Sequence, residues 1–370
     1  MIQNASCALL QPLQEGALKV CNRIALSPMT RGRAGSDGLA NSIMEEYYVQ
    51  RGTAGLVITE GTQVSEQARG WIGAPGIWTN EQTEAWKSLV AGFKKKTNDK
   101  TPIFMQLWHP GRASHSDFHE NGSLPIAPSP IALTGQIHTP KGKKPYETPH
   151  VLTIPEISRV VQEFKRAAQN AFTAGFDGVE IHSANGYLLD EFLQSKINQR
   201  TDKYGGSFEN RFRLLKEVLE AVTFVFPKNR VGVRLGPNGV YNDTGSLDYR
   251  ESFTYYFQQL DKYGLAYLHV IDGLAFGFHG HGEPITLQEI RQHFHGMLIG
   301  NCGYDFKTAN EAIEAGHADM ISFGRPFLSN PDLVERFTNG WPLNEPASTS
   351  VWYSSGPEGY VDFPKYIHAS

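Results

Sequence analysis

Short apolar runs recur along the chain, and longer stretches with helical periodicity separate them. A run that is apolar on both faces is typical of a strand buried in a parallel sheet. Such runs occupy eight places: 22–30, 55–62, 102–109, 179–181, 231–235, 266–270, 297–301 and 320–324. Apolar residues spaced three or four apart predict helices after them: 41–50, 79–96, 154–174, 208–225, 248–263, 286–294, 306–315 and one that begins at Asn330.

Strands that alternate with helices predict an α/β fold, and eight such pairs predict a single-domain (β/α)8 TIM barrel over residues 1–370. The competing fold is a doubly wound sheet. Because no G-x-G-x-x-G follows any of the runs, the dinucleotide-binding form of that sheet lacks its main support. Residues 9–19 predict an N-terminal hairpin or lid that turns at Gly16. A Pro-, Gly- and Ser-rich excursion over 110–153 is long enough to predict an active-site lid.

Composition narrows the class of protein. The net charge of −4 gives no basis for binding nucleic acid or an anionic membrane. The three cysteines are far apart and form no C-x-x-C, which argues against a disulfide framework or a zinc site. No basic segment followed by an apolar one opens the chain, and no apolar run approaches the roughly 18 residues of a membrane span. We therefore expect a soluble, cytoplasmic protein that has no membrane contact.

The residues just after the predicted strands meet at one end of a barrel, where barrels carry their active sites. The last two strands end in Asn301-Cys302-Gly303 and Gly324-Arg325, which suit a phosphate because they offer bare backbone N–H groups and a cation. Other strand ends supply neutral polar groups, a strong cation and a polar cluster: Thr30, Gly61, Gln106, Trp108, His182, Asn185, Tyr187 and Arg234. This set suits an organic cofactor with one phosphate, and flavin mononucleotide (FMN) fits it.

Other chemistries have weaker support. Glu60 is the clearest carboxylate at a strand end, whereas a glycosidase needs two. The histidine pairs 115/119 and 279/281 lie in Gly-rich loops without a nearby carboxylate, and the pair 293/295 lies at a predicted helix end, so we assign no metal. Ser183 has no visible base and acid partner, and no G-x-S-x-G occurs, which disfavours acyl transfer.

The sequence resembles the old yellow enzyme family of flavin-dependent ene-reductases, in the branch that has Thr rather than Cys at position 30. The resemblance extends over nearly the whole chain, to residues 359–364, and is carried by these motifs: Ser27–Arg31, Ile58–Thr62, Gly73–Gly76, Gln106–Arg112, His182–Leu189, Asn198–Arg211 and Phe323–Pro326.

The resemblance implies tightly bound, non-covalent FMN, reduced by NADPH. It implies the following cofactor-binding residues: Ser27, Pro28, Met29, Thr30, Gly61, Gln106, His182, Arg234, Asn301, Gly303, Gly324 and Arg325. Thr30 would bind the flavin O4 edge, Gln106 the pyrimidine edge, and Arg234 the N1 and C2 carbonyl region. Gly303, Gly324 and Arg325 would hold the phosphate.

The family also implies the reaction, which is reduction of an electrophilic alkene activated by a carbonyl or nitro group. His182 and Asn185 would bind the activating oxygen, hydride would pass from flavin N5 to the β-carbon, and Tyr187 would protonate the α-carbon. Trp71, Trp108 and Tyr353 match positions that line the substrate pocket. The nicotinamide would use that same pocket, which gives ping-pong turnover.

Asn185 departs from relatives that have a second histidine there, so the range of substrates stays open. Segment 134–150 and the loop 276–281 match nothing in the family and are predicted to border the pocket. The alternatives are another FMN barrel that reduces quinones or nitrate esters, of the dihydroorotate-dehydrogenase or dimethylamine-dehydrogenase type, and a flavin-binding protein without turnover. We expect a monomer or a weak homo-oligomer.

Overall fold

The computed structural model describes residues 7–16, 18–275 and 277–367. Its strands, in chain order, are β1 Leu13–Glu15, β2 Leu18–Val20, β3 Ile24–Leu26, β4 Leu56–Ile58, β5 Thr62–Gln63, β6 Ile103–Trp108, β7 Ile126–Ala127, β8 Gln136–Thr139, β9 Gly142–Pro145, β10 His150–Val151, β11 Gly178–His182, β12 Val231–Leu235, β13 Tyr267–Ile271, β14 Leu298–Asn301 and β15 Met320–Phe323. Its α-helices are α1 Ser42–Gln50, α2 Asn80–Lys96, α3 Ile154–Thr173, α4 Leu188–Leu193, α5 Phe208–Thr223, α6 Tyr249–Asp261, α7 Leu287–Arg291, α8 Phe306–Glu314, α9 Arg325–Ser329 and α10 Leu333–Asn339.

Eight of these strands form a closed parallel barrel, so the predicted (β/α)8 TIM barrel is confirmed. They pair in the order β3, β4, β6, β11, β12, β13, β14, β15, and β15 pairs with β3 to close the ring. Each of the eight predicted apolar runs overlaps one barrel strand, although β11 and β13 extend beyond their runs. The residues of the eight strands are buried on both faces, one against the barrel interior and one against the surrounding helices.

The helices begin where the sequence places capping residues. Thr79, Thr153 and Thr286 each accept a backbone N–H of the first turn, and a Gln or Glu side chain returns a contact to the cap. These capping boxes satisfy N–H groups that have no partner inside the helix. The caps therefore fix the residue at which each of these helices begins after its connecting loop.

Two short helices were not predicted. Helix α4 follows the central strand, and all six of its residues are buried. A helix that is buried all round has no polar face, so it gives no amphipathic periodicity to recognise. Helix α9 has five residues and is likewise too short for a periodic signal.

The N-terminal hairpin is confirmed as the antiparallel pair of β1 and β2. The 110–153 excursion contains the hairpin of β8 and β9 together with the two short strands β7 and β10, which pair with each other. Within the described residues, none of the helices is both long enough and apolar enough to cross a membrane.

Candidate active site

A cavity of about 430 Å³ opens at the carboxyl ends of the barrel strands. Its volume lies in the range of small-molecule and cofactor sites. Every residue that the sequence suggested for the site lines it: Ser27, Pro28, Met29, Thr30, Gly61, Trp71, Gln106, Trp108, His182, Asn185, Tyr187, Arg234, Asn301, Gly303, Gly324, Arg325 and Tyr353. The location of these residues is thus established, whereas their individual roles stay predictions.

A tight turn places the polar cluster after the central strand. Strand β11 ends at His182, and Asn185 and Gly186 then take left-handed backbone angles, with φ of 61° and 67°. Asn tolerates this region better than most residues, and a Cβ at position 186 would lie 2.7 Å from the Cβ of Asn242. The Gly186 N–H donates to Asp190 Oδ2 (2.8 Å), and Asn242 Nδ2 donates to the Asn185 carbonyl (2.8 Å). The turn is therefore held from both sides.

The two ionisable groups of this cluster are both held neutral. Burial, helped by the Arg234 cation, lowers the pKa of His182 well below its ordinary value. Burial and the neighbouring Tyr241 raise the pKa of Tyr187 well above its own. The Tyr187 ring stands edge-on to Trp108 and to His182, with both pairs of ring centroids 5.2 Å apart. The arrangement therefore offers an uncharged imidazole and a protonated phenol side by side.

The floor of the cavity, which we define as Gln106, Arg234 and Asn301, is a hydrogen-bonded layer. Arg234 Nη2 donates to Asn301 Oδ1 (2.7 Å), and Asn301 Nδ2 donates to the carbonyl of Ser322 (3.1 Å). Gln106 Nε2 donates to Glu180 Oε1 (2.7 Å). The Nε atom of Arg234 is buried and has no hydrogen-bond partner among the described residues. A buried N–H donor without an acceptor is costly, which fits a bound group that supplies one.

The other end of the cavity offers backbone groups and a cation. Gly303 has φ of 89°, and a Cβ built on it meets no atom within 4 Å. Gly324 precedes α9, and a Cβ there would lie 3.1 Å from the Sδ of Met29. Arg325 is exposed beside it and also lines the cavity. This end therefore fits a phosphate, which binds well to backbone N–H groups and to a guanidinium.

Aromatic residues form the rim of the cavity, which we define as Trp71, Tyr241 and Tyr353. The rings of Trp71 and Tyr353 are 5.0 Å apart. The segment that carries Tyr353 is fixed by arginines, since Arg31 Nε (3.0 Å) and Arg33 Nη1 (2.8 Å) both donate to the Trp352 carbonyl.

Several lining residues were missed: Tyr241, Ile271, Tyr304 and Trp352. Tyr241 and Trp352 lie in loops without periodicity, so no sequence pattern pointed to them. Ile271 is the last residue of β13, and a rule that examined every strand end would have found it.

The two segments that matched nothing in the family, 134–150 and 276–281, were predicted to border the pocket. No described residue of 110–153 or 277–281 lines the cavity. Thr134 instead donates from its backbone N–H and its hydroxyl to the carboxylate of Asp243, two residues after Tyr241. A Cβ on Gly277 would lie 2.8 Å from Val240. Phe276 is outside the described residues. The excursion therefore packs against the Tyr241 loop, and its role as a lid stays a prediction.

The histidines do not assemble a metal centre in the part of the chain that the structure describes, where no group of three or more His, Cys, Asp and Glu side chains could hold an ion. Glu60, the strand-end carboxylate, is buried and accepts the backbone N–H groups of Arg31 (3.0 Å) and Gly32 (3.1 Å). It thereby fixes the loop that carries Thr30.

Comparisons with known proteins agree on one family. The model of the NADH:flavin oxidoreductase / NADH oxidase family matches residues 8–344. The chain is 39% identical to 12-oxophytodienoate reductase 1 of Oryza sativa subsp. japonica, over 97% of this chain and 93% of that one. It is 42% identical to the solved old yellow enzyme homologue from Zymomonas mobilis, with a TM-score of 0.91 over 96% and 99% of the two chains. Morphinone reductase, solved in complex with tetrahydroNAD, is 39% identical, with a TM-score of 0.90 over 97% and 98%.

Proposed function

The chain belongs to the old yellow enzyme family of FMN-dependent oxidoreductases, and from this premise we propose that it is an NADPH-dependent ene-reductase of electrophilic alkenes. The observation that carries the proposal is the side-by-side placement of a neutral His182, Asn185 and a protonated Tyr187 at the mouth of one cavity. These are two hydrogen-bond donors and one proton donor, which is the set that alkene reduction requires of the protein.

The cavity residues suit FMN at both of its ends. Arg234, whose buried Nε lacks a partner among the described residues, would hold the pyrimidine edge together with Gln106. Gly303, Gly324 and Arg325 would hold the phosphate. When bound, FMN supplies the two-electron chemistry by which a nicotinamide reduces it and it reduces the alkene in turn.

The protein itself contributes polarisation and a proton. His182 and Asn185 donate hydrogen bonds to the activating carbonyl or nitro oxygen, which withdraws electrons from the conjugated double bond. The hydroxyl of Tyr187 delivers its proton to the α-carbon. Because burial keeps this phenol protonated, it stays a donor throughout the neutral pH range.

One cavity serves both half-reactions in this proposal. Trp71, Trp108 and Tyr353 surround the space next to the polar cluster, where the nicotinamide and then the alkene would bind in turn. NADPH is our expected reductant, since the family resemblance implies it.

The substitution Tyr187→Phe tests the proposal, because it removes the proton donor and keeps the ring. In anaerobic stopped-flow experiments we expect NADPH to bleach the flavin at the parent rate. Reoxidation by 2-cyclohexenone should slow by about 10²- to 10⁴-fold, the usual contribution of a general acid. Tyr353→Phe, in the same cavity, is the matched control and should leave reoxidation within about threefold of the parent, since this side chain is half-exposed and the substitution keeps its ring.

Unchanged turnover in the Tyr187→Phe protein would remove this residue as proton donor. In the parent protein, bleaching by NADPH without return of colour on adding enone would point to other acceptors, such as quinones or nitrate esters. A flavin that neither bleaches nor turns over would leave a flavin-binding protein.

A further inference from the structure

Glu180 is a buried carboxylate that the proposed reaction does not use. It lies in the middle of β11, and its side chain is completely buried. Its two oxygens have separate partners, since Oε1 accepts from Gln106 Nε2 (2.7 Å) and Oε2 contacts His269 Nδ1 (2.9 Å). His269 is also fully buried, and its Nε2 contacts the hydroxyl of Ser322 (2.7 Å). The chain of contacts crosses the barrel interior from β6 to β15.

The partners fix where each proton lies. His269 faces a carboxylate with Nδ1 and a hydroxyl with Nε2. Burial lowers the pKa of His269, whereas the imidazole and Arg234 keep the pKa of Glu180 below its ordinary value despite burial. The imidazole is therefore neutral, donates its Nδ1 proton to Glu180, and accepts the Ser322 proton at Nε2. Glu180 consequently carries a full negative charge directly beneath the cavity floor.

This charge acts on both floor residues that would meet the pyrimidine edge of the cofactor. Because the Gln106 amide donates to Glu180 through Nε2, its Oε1 remains for other contacts. This oxygen would lie 3.4 Å from a Cβ built on Gly61, which lines the cavity. Glu180 is also the strongest influence that favours the Arg234 cation against burial. A carboxylate near a cation offsets part of its field, and inside a protein such effects are large.

We propose that Glu180 is a positioning residue for the flavin, which holds the Gln106 oxygen toward the cavity and moderates the preference of Arg234 for reduced over oxidised FMN. The inference rests on the FMN placement of the proposed function. It assigns two separable effects to one carboxylate, an orienting effect through Gln106 and a charge effect through Arg234.

Two substitutions separate these effects. Glu180→Gln removes the charge and keeps an acceptor for Gln106, because His269 can move its proton to Nε2 and accept from the new amide. Glu180→Asp keeps the charge but withdraws the carboxylate by about 1.5 Å, the length of one carbon–carbon bond, so it no longer reaches both partners. Glu163→Gln, a carboxylate of α3 outside the cavity lining, is the matched control.

The readouts are the FMN affinity of the apoprotein and the midpoint potential of the bound flavin, measured anaerobically against a reference dye. For Glu180→Gln we expect about a tenfold greater preference for reduced FMN, which is about 30 mV for a two-electron couple, with affinity for oxidised FMN within about threefold of the parent. For Glu180→Asp we expect about tenfold weaker FMN binding. Its midpoint potential should stay within about 10 mV of the parent, which corresponds to about a twofold change in the preference for reduced over oxidised FMN.

Three results would overturn the inference: an unchanged potential in Glu180→Gln, loss of FMN from that protein, or parent-like FMN affinity in Glu180→Asp. A parent protein that binds no FMN would instead overturn the proposed function. The two failures are therefore distinguishable.

Discussion

The floor and the rim of the cavity are built in different ways. Gln106, Arg234 and Asn301 are each 6% exposed or less, and Arg234 and Asn301 are joined directly by a hydrogen bond. At the rim, Tyr241 is 43% exposed and Tyr353 is 51% exposed. The rings of Trp71 and Tyr353 contact each other, Tyr241 lies in a short 3-10 helix, and none of the three rim residues is on a strand.

This difference in burial indicates that the floor residues must stay fixed, whereas the rim residues can vary. Buried polar groups stabilise a structure only while each has its partners, so no floor residue can change alone without leaving another unsatisfied. Half-exposed rings lose only part of their packing when they are replaced. A site of this kind keeps its cofactor while its substrate range changes through the loops.

The largest effect that we predict is at the floor. Arg234→Met should destabilise the apoprotein by about 3 kcal/mol, because Glu180 is then left buried without its cation and Asn301 Oδ1 loses its donor. FMN binding should also fail, since the substitution removes the unpartnered Nε donor. Chemical denaturation of the apoprotein and retention of the flavin absorbance during gel filtration measure the two effects.

Arg325→Met is the matched control for this prediction, because it removes a cation that lines the same cavity but is exposed. We expect it to weaken FMN binding and to leave apoprotein stability within about 0.5 kcal/mol, as for most surface substitutions. Equal destabilisation by the two substitutions would contradict the contrast between the buried floor and the exposed residues that line the same cavity.

An effect of comparable size is expected at the turn that links floor and rim. Asp190 is buried, accepts the Gly186 N–H, and has its pKa raised by burial to about 7. The folded protein therefore binds a proton that the unfolded chain has already released above about pH 4, so Asp190 makes stability fall as pH rises from about 4 to 7. Each unit by which the pKa of Asp190 is raised corresponds to about 1.4 kcal/mol of unfolding free energy. In Asp190→Asn this contribution should vanish.

The measurement is the difference in free energy of unfolding between the parent and Asp190→Asn at pH 5 and pH 8. The neighbouring Glu191, whose pKa burial raises to about 8, contributes a slope of the same sign. Because the Asp190 charge adds to that rise, Asp190→Asn also reduces the Glu191 slope, and the difference reports the two carboxyls together. Identical pH dependence in the two proteins would show that Asp190 is already ionised in the folded state.

The same contrast explains what the sequence could predict. The floor residues lie among the last three residues of the apolar strands β6, β12 and β14, so their positions follow from periodicity alone. Trp71 and Tyr353 entered the prediction only through the family resemblance, and Tyr241 was missed. Its loop has left-handed angles at Asn242 and Asp243, and it is held by Thr134 from more than 100 positions away. Long-range contacts of this kind leave no local pattern.

The Glu180 network shows a second limit. The sequence shows that Glu180 lies within a buried strand, and a carboxylate there needs partners. Its partners lie on β6 and β13, and only the barrel register brings Gln106 opposite Glu180. Pairing between strands is set by the closed barrel as a whole, so the chemistry of the barrel interior becomes visible only in the assembled fold.

The smallest effect is expected at the rim. Tyr353→Leu should raise the KM for 2-cyclohexenone by about threefold to tenfold, because an aromatic contact contributes about 0.5–1.5 kcal/mol beyond its buried area. FMN affinity and the rate of flavin bleaching at saturating NADPH should match the parent, since no floor contact involves this side chain. Tyr263→Leu, on a half-buried tyrosine outside the cavity lining, is the control for loss of a ring and should leave KM unchanged. If Tyr353→Leu instead released FMN or destabilised the apoprotein as much as Arg234→Met, the rim would be part of the rigid floor, and the substrate range would be tied to the cofactor site.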